Sequence, residues 1–353
     1  MRIQRAAVVL LFLASACADP NIELENEFRA ECSMMASRLV GESNKLVEAR
    51  EGWLFVKSEL SYLAAGSYIG ENAVRANPKA PPDRANPVPA IVDFSKRLEK
   101  RNIDLYVVPI PVRPAIYPES VLGSERLADL DRVPNLDGAL TELVSALRQE
   151  SVRIIDLAPL FLMHRSNPEH RAIFCPSDAH WTPFGISLAA KALTSEIRDR
   201  PWYDDASKLK FRQRWRDRKH SGTIYGLLKD ETGVSREPDV VQTRKITMKT
   251  GDRPQKVPIQ NPDSPVVVIG DSNAVWWKWP RFSSSLPEQL AFELGLPVDV
   301  LSTKGGGANE TRLNLVRRLR DEPGYLDGKR VVIWVFSARS FTNEDQGWMV
   351  IPI

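Results

Sequence analysis

Three cysteines and four histidines are all that the 353 residues contain, and they do not fall at the spacings that hold zinc. His164 and His170 stand at no helical metal spacing and read as surface residues. No phosphate-cradling Walker loop and no glycine fingerprint for a dinucleotide occurs, so neither a metal nor a cofactor is expected. Charge of one sign is scarce too. The net charge is +3, with 48 basic against 45 acidic residues, too balanced for a protein that binds nucleic acid over its whole surface. Beyond residue 17 no segment is apolar enough to span a bilayer, and no internal repeat is visible.

What is present is enough for one large α/β domain, or for a domain with a sizeable insertion, since 43% of the residues are hydrophobic. The 26 prolines predict stiff, irregular loops. Residues 1–17 read as an export signal. Arg2 and Arg5 form a short positive region, and Ala6 to Ala16 is apolar but too short to cross a membrane. Leu13-Ala14-Ser15-Ala16-Cys17 resembles a bacterial lipobox with Cys17 as lipid acceptor, while Ala14-Ser15-Ala16 also reads as a cleavage site. The expected location is periplasmic, with a membrane anchor if Cys17 is lipidated. In such an oxidising compartment Cys32 and Cys175 are expected to form a disulfide; two buried thiols are the alternative.

Residues 18–50 are polar and helix-prone and read as an N-terminal arm. Residues 51–342 form the expected main domain, and 343–353 a tail. Glu51 to Val56 has strand character, and residues 77–89, with five prolines, must be a loop. Strands are then predicted at Ile103–Val108, Val152–Leu157, Val266–Ile269, Val298–Leu301 and Val331–Phe336. Helices are predicted at Val92–Lys100, Leu136–Arg148, Thr182–Ile197, Leu286–Leu294 and Glu310–Leu319. This alternation implies a mainly parallel sheet covered on both faces. Residues 200–262, rich in charge and poor in apolar periodicity, read as an insertion, either a lid or a small subdomain.

In an open parallel sheet, ligands bind beyond the carboxyl ends of the strands. There the sequence puts Gly270-Asp271-Ser272, Gly305-Gly306-Gly307-Ala308-Asn309 and Ser337-Ala338-Arg339. A further loop carries Asp178-Ala179-His180-Trp181-Thr182. A serine hydroxyl needs an adjacent base to become a nucleophile. His180 is the candidate base for Ser272, and Asp178 the carboxylate that orients it. The Ser272 and Gly306 backbone N–H groups and the Asn309 amide are candidate oxyanion donors. Against this, Asp178 or Thr182 could simply cap the following helix, and Gly305 to Gly307 could be no more than a flexible turn.

Lys208 to His220 alternates. As a strand it sets Leu209, Phe211 and Trp215 on one face and Arg212, Arg214 and other basic residues on the opposite one. That face suits an anionic polymer, although charges on an edge strand also discourage aggregation. Trp276, Trp277 and Trp279 could line a sugar site or pack in the core. Trp181 is the aromatic expected at the site wall, and Arg339 the basic residue expected to meet substrate.

Gly270-Asp271-Ser272 after a strand resembles the first block of the SGNH hydrolases. Asp178-x-His180-Trp181-Thr182 lies upstream of the serine, the reverse of the usual order, and that permutation resembles the AlgJ/AlgX-like alginate O-acetyltransferases. Glu51-Gly52-Trp53-Leu54-Phe55, Ser221 to Leu228 and Trp334-Val335-Phe336-Ser337-Ala338-Arg339 resemble further motifs of that family. The resemblance covers roughly residues 50–342. It implies a three-layer α/β/α SGNH-like sandwich with an inserted segment, and Ser272, His180 and Asp178 as nucleophile, base and orienting acid. It also implies acetylation of an alginate-like exopolysaccharide through an acetyl-serine, with the acyl donor supplied by a membrane acyltransferase. The SGNH asparagine after the last strand is missing, and the Ser221–Leu228 segment lacks the family's aspartate. An esterase or deacetylase with the same three residues is one alternative. A non-catalytic polysaccharide-binding or export-complex protein is another, and it requires a broken triad.

Overall fold

The computed structural model describes residues 20–40, 45–166, 172–250, 253–278 and 280–353. The leader with Cys17, His170 and Trp279 lie outside the described residues. The chain opens with α1 (Pro20–Met35), on which Leu24, Phe28, Cys32 and Met35 recur every three or four residues and are buried. The expected arm is therefore part of the core, and α1 packs on α2 (Lys57–Ala65). Between them, β1 (Leu39–Val40), β2 (Leu46–Glu48) and β3 (Leu54–Val56) form a small antiparallel sheet. After α3 (Ala73–Ala76), the proline-rich stretch is a loop broken by one tight turn. It ends sooner than expected, because α4 (Val88–Glu99) takes Pro89 into its first turn, where an N–H is not needed.

The predicted alternation follows. It runs through β4 (Asp104–Ile110), α5 (Arg113–Ile116), α6 (Glu119–Leu122), α7 (Gly138–Gln149), β5 (Arg153–Ile154), α8 (Ala158–His164) and α9 (Pro183–Arg198). After α10 (Trp202–Asp205) the expected insertion forms its own antiparallel sheet. It consists of β6 (Phe211–His220), α11 (Gly222–Thr232), β7 (Asp239–Thr250) and β8 (Arg253–Gln255). The main domain resumes with β9 (Val266–Gly270), α12 (Ser272–Val275), α13 (Leu286–Leu294), β10 (Asp299–Ser302), α14 (Gly307–Asp321) and β11 (Val331–Ser337).

The main sheet has five strands in the order β10-β9-β11-β4-β5, all pairs parallel. Every residue of β9 and Val331 to Phe336 of β11 are buried, as unbroken apolar runs must be when helices cover both faces. This is the expected three-layer α/β/α arrangement. The carboxyl ends of β9, β11 and β4 lie side by side along one edge, so the loops after them converge. The final residues are not a loose tail: Trp348 and Ile351 are buried, and the Trp348 N–H donates to the Arg84 carbonyl at 2.6 Å. Among the described residues no helix is long and apolar enough to cross a membrane.

The expected disulfide is absent. Cys32 and Cys175 are both free and buried. Cys32 belongs to the apolar face of α1, whereas Cys175 lies beside the Ser177 hydroxyl at 3.4 Å. Burial raises the Cys32 thiol far above its ordinary range and pushes Cys175 up to about 12, so neither is a ready thiolate.

Candidate active site

The turn after β9 is built by two small features. Gly270 is hemmed in by β11: a Cβ there would lie 2.7 Å from Val335 Cγ1 and 2.8 Å from its carbonyl oxygen, so only glycine fits. Asp271 then caps α12. Its Oδ1 accepts from the Asn273 backbone N–H at 2.8 Å and from the Asn273 amide at 2.9 Å, and its Oδ2 accepts from the Ser337 N–H at 3.3 Å. The carboxylate thus ties the start of α12 to the end of β11 and fixes Ser272 between them.

The second loop is locked onto this turn by its tryptophans. Trp181 Nε1 donates to the Asn273 carbonyl at 3.0 Å, and Trp277 Nε1 donates to the Trp181 carbonyl at 2.7 Å. Both rings are fully buried. Trp181 is therefore a core cross-link and not the expected site wall. Thr182 caps α9, accepting from Gly185 N–H, which leaves Asp178 free for the site. His180 Nδ1 lies 2.6 Å from Asp178 Oδ1, and His180 Nε2 lies 2.9 Å from Ser272 Oγ. Because the carboxylate can only accept, Nδ1 carries the proton and Nε2 faces the hydroxyl as acceptor. The three residues predicted to act together are brought together, so the broken-triad alternative does not hold.

Asp178 has more partners than the sequence reading foresaw. Its Oδ1 also accepts from the His180 N–H at 3.0 Å and the Thr223 hydroxyl at 3.0 Å, while Oδ2 accepts from His220 Nε2 at 2.6 Å and Trp276 Nε1 at 2.9 Å. Burial alone would raise this carboxyl. The hydrogen bonds and charges of His180 and His220 outweigh it and hold Asp178 well below the usual carboxylate range. Trp276 also lies flat against the His180 ring, with centroids 4.1 Å apart and planes 6° apart. Trp276, and not Trp181, is thus the tryptophan that touches His180 and Asp178. His220 and Thr223 come from the insertion, which is clamped to the Asp178 loop. Ser177 N–H donates to Asp239 Oδ2 at 2.8 Å, and Ile224 N–H donates to the Ser177 carbonyl at 2.9 Å. That approach needs glycine at 222 (φ +61°), where a Cβ would sit 1.9 Å from the Ser177 carbonyl oxygen. The signal for His220 was its scarcity: it is one of four histidines, at the end of a run read for its alternating apolar and basic faces.

Ser272 and His180 open into a cavity of about 250 Å³, whose wall includes Ile110, Leu227, Thr223 and Arg339. Arg339, expected to meet substrate, thus lines the same cavity as Ser272 and His180. Beside it lies a buried ion pair. Arg113 donates from Nη2 to Glu59 Oε2 at 2.6 Å and from Nε to Oε1 at 3.0 Å, and both residues line the cavity. Burial works to raise Glu59, but the Arg113 charge and hydrogen bonds overcome it and lower the carboxyl. Arg212 and Arg214 do not reach the cavity; they are exposed on β6, an edge strand.

The expected oxyanion donors need correction. Neither Gly306 nor Asn309 lines the cavity. The Asn309 amide donates to Glu344 Oε2 at 3.0 Å and to the Gly347 carbonyl at 2.5 Å, and Ala308 N–H donates to Glu344 Oε1 at 2.7 Å. The glycine loop is closed by the C-terminal residues. The Ser272 N–H remains, since no described hydrogen bond uses it.

A family model described as "SGNH hydrolase-like domain, acetyltransferase AlgX" matches residues 46–338. The probable alginate O-acetylase AlgJ of Pseudomonas aeruginosa is 23% identical over 306 residues, which span 83% of this chain and 70% of that protein. The solved O-acetyltransferase domain of Pseudomonas putida AlgJ shares the fold with a TM-score of 0.60 at 21% identity, covering 85% of this chain and 92% of that one. AlgX of Pseudomonas aeruginosa does so with a TM-score of 0.58 at 19% identity, covering 85% and 65%. With a match over most of its length, this chain belongs to the AlgX-type acetyltransferase family and is an O-acetyltransferase built on an SGNH hydrolase-like domain.

Proposed function

We propose that the protein is exported to the periplasm and transfers acetyl groups to hydroxyls of an alginate-like exopolysaccharide through an acetyl-Ser272 intermediate. The observation that carries this reading is the unbroken series from Ser272 Oγ through His180 to Asp178 at the mouth of the cavity. His180 Nε2 takes the Ser272 proton as Oγ attacks the donor's acetyl carbonyl, and returns it to the departing group. A sugar hydroxyl then gives its proton to Nε2 and attacks the acetyl-serine, which restores Ser272. Asp178 stabilises the imidazolium in both halves. The Ser272 N–H faces the developing oxyanion. Trp276 keeps one face of His180 dry and fixes the ring plane. We read the acetyl donor as the product of a membrane acyltransferase, and the exposed Arg212 and Arg214 as an outlying contact for the polymer. Cys17 would anchor the chain to the membrane if it bears lipid.

The test is mass spectrometry of a polysaccharide oligomer panel after incubation with an acetyl donor, with Ser272→Ala as control. Acetylated oligomer and a mass gain of one acetyl group on Ser272 support the reading. Acetate release without oligomer acetylation would assign an esterase instead.

A further inference from the structure

The charged side chains that line the cavity are Glu59, Arg113 and Arg339, beside the His180 ring. Glu59 is saturated: its two oxygens accept from Arg113 Nε, Arg113 Nη2, the Arg113 N–H and the Val56 N–H. It has no capacity left for a direct bond to Arg339, although the Arg339 charge reaches it. Among the described residues Arg339 makes no side-chain hydrogen bond and no ion pair, and it is half-buried. Arg113 is fully buried, spends Nη2 also on the Leu54 carbonyl at 2.9 Å, and leaves Nη1 without a partner. Asp178 and Asp271 lie behind the lining and are covered by their own donors. The lining therefore carries two guanidinium groups against one carboxylate, with a buried N–H left over. An unpaired buried donor costs free energy that a bound acceptor restores, and a guanidinium matches a carboxylate in geometry as well as charge.

Resting on the acetyl transfer proposed above, we propose that Arg339, backed by Arg113, is the specificity element of the site: it receives the carboxylate of a uronate unit in the acceptor, so that the hydroxyl to be acetylated lies on or next to a charged sugar. The carboxylate docks on Arg339 at the wall, and Arg113 supplies the field and the free N–H beneath it. Ile110 and Leu227 exclude water from the pairing and strengthen it.

The test compares a uronate trisaccharide with the same trisaccharide after reduction of its carboxyl groups to alcohols. Binding is measured by calorimetry on Ser272→Ala, and transfer by kcat/KM on the intact enzyme. The carboxylate form should bind and react about tenfold better, the scale of one charge-assisted hydrogen bond. Arg339→Gln should narrow the preference to about twofold. The double variant Glu59→Gln/Arg113→Met, which removes a buried pair together rather than stranding one charge, should narrow it also. Equal binding of the two trisaccharides by Ser272→Ala overturns the proposal. So does a preference that survives Arg339→Gln, which would place recognition on the outer basic strand. If Arg339→Gln slows formation of acetyl-Ser272 from a small acetyl ester as much as it slows transfer to both trisaccharides, the guanidinium serves the acyl oxygen and the proposal falls. If no donor acetylates Ser272, the transfer reading fails, while the calorimetric preference still decides whether the cavity reads a carboxylate.

Discussion

Two buried aspartates, Asp178 at the candidate site and Asp137 at the start of α7, show how differently burial can act on a carboxylate. Both are almost fully buried and both precede a helix. Asp178 accepts five hydrogen bonds, two of them from histidine rings. Asp137 accepts from the Tyr62 hydroxyl at 2.9 Å and from the Leu140 N–H at 3.1 Å. Burial lifts Asp137 from an ordinary 3.8 to about 6 despite those bonds, whereas Asp178 is driven the other way. Depth alone therefore does not decide the charge of a carboxylate here. The number and kind of donors aimed at it does.

The comparison breaks most sharply at Asp178. Asp178→Asn should lower kcat for Ser272-dependent acetyl transfer by about 10⁴-fold, because the amide no longer fixes the tautomer or supports the imidazolium. A smaller effect is expected at His220, which acts through Asp178 and touches no substrate. His220→Phe should lower kcat by about tenfold to a hundredfold with KM unchanged, the size of one lost hydrogen bond to a charged group. His220→Gln, which keeps an N–H donor, should recover part of the loss, and equal loss in both variants would reduce His220 to a packing residue. Next comes stability against pH. The folded state holds the Asp137 proton more tightly than the unfolded chain does. That stability is fully present below about pH 4 and is lost as pH rises through about 6, up to about 3 kcal/mol. Asp178 has the opposite sign and acts below about pH 4, so the two windows separate. Denaturant melts of the parent and of Asp137→Asn between pH 4 and 7 should diverge, with the variant losing less stability as pH rises. The smallest effect is redox. With Cys32 and Cys175 free, reductant should leave the melting temperature unchanged, and thiol labelling after unfolding should count both.

Much of this fold was legible because its strands are short, wholly apolar runs between helices with a regular stripe. α13 matches its predicted bounds, and β4, β9 and β11 differ by a residue or two at their ends. β5 was read as six residues and has two, since an edge strand pairs on one side only. α1 was read as an arm because its buried stripe is narrow within a polar sequence. At the site, His180 and its neighbour Asp178 stood out because the chain has four histidines, and Ser272 because it follows a buried strand. What escaped were choices made by tertiary contact. Trp181 was expected at the site wall and Trp276 either at a sugar site or in the core, and the packing of the α12 turn sent the first to the core and the second onto His180. Asn309 looked like a free amide until Glu344, thirty-five residues on, claimed it. The Cys32–Cys175 bridge failed for the same reason, as Cys32 packs on the apolar face of α1 and Cys175 lies beside the Ser177 hydroxyl.

The order of the main strands has one more consequence. β4, laid down near residue 104, has β11, at 331, as its longer partner, and β9 enters only after the insertion is complete. A chain emerging from its N-terminus can form helices and the small sheets, but its central sheet stays unzipped until the last quarter has been made. Such long-range pairing makes folding slow, and under the export proposed above, slowness of this kind would keep the chain threadable through a narrow channel.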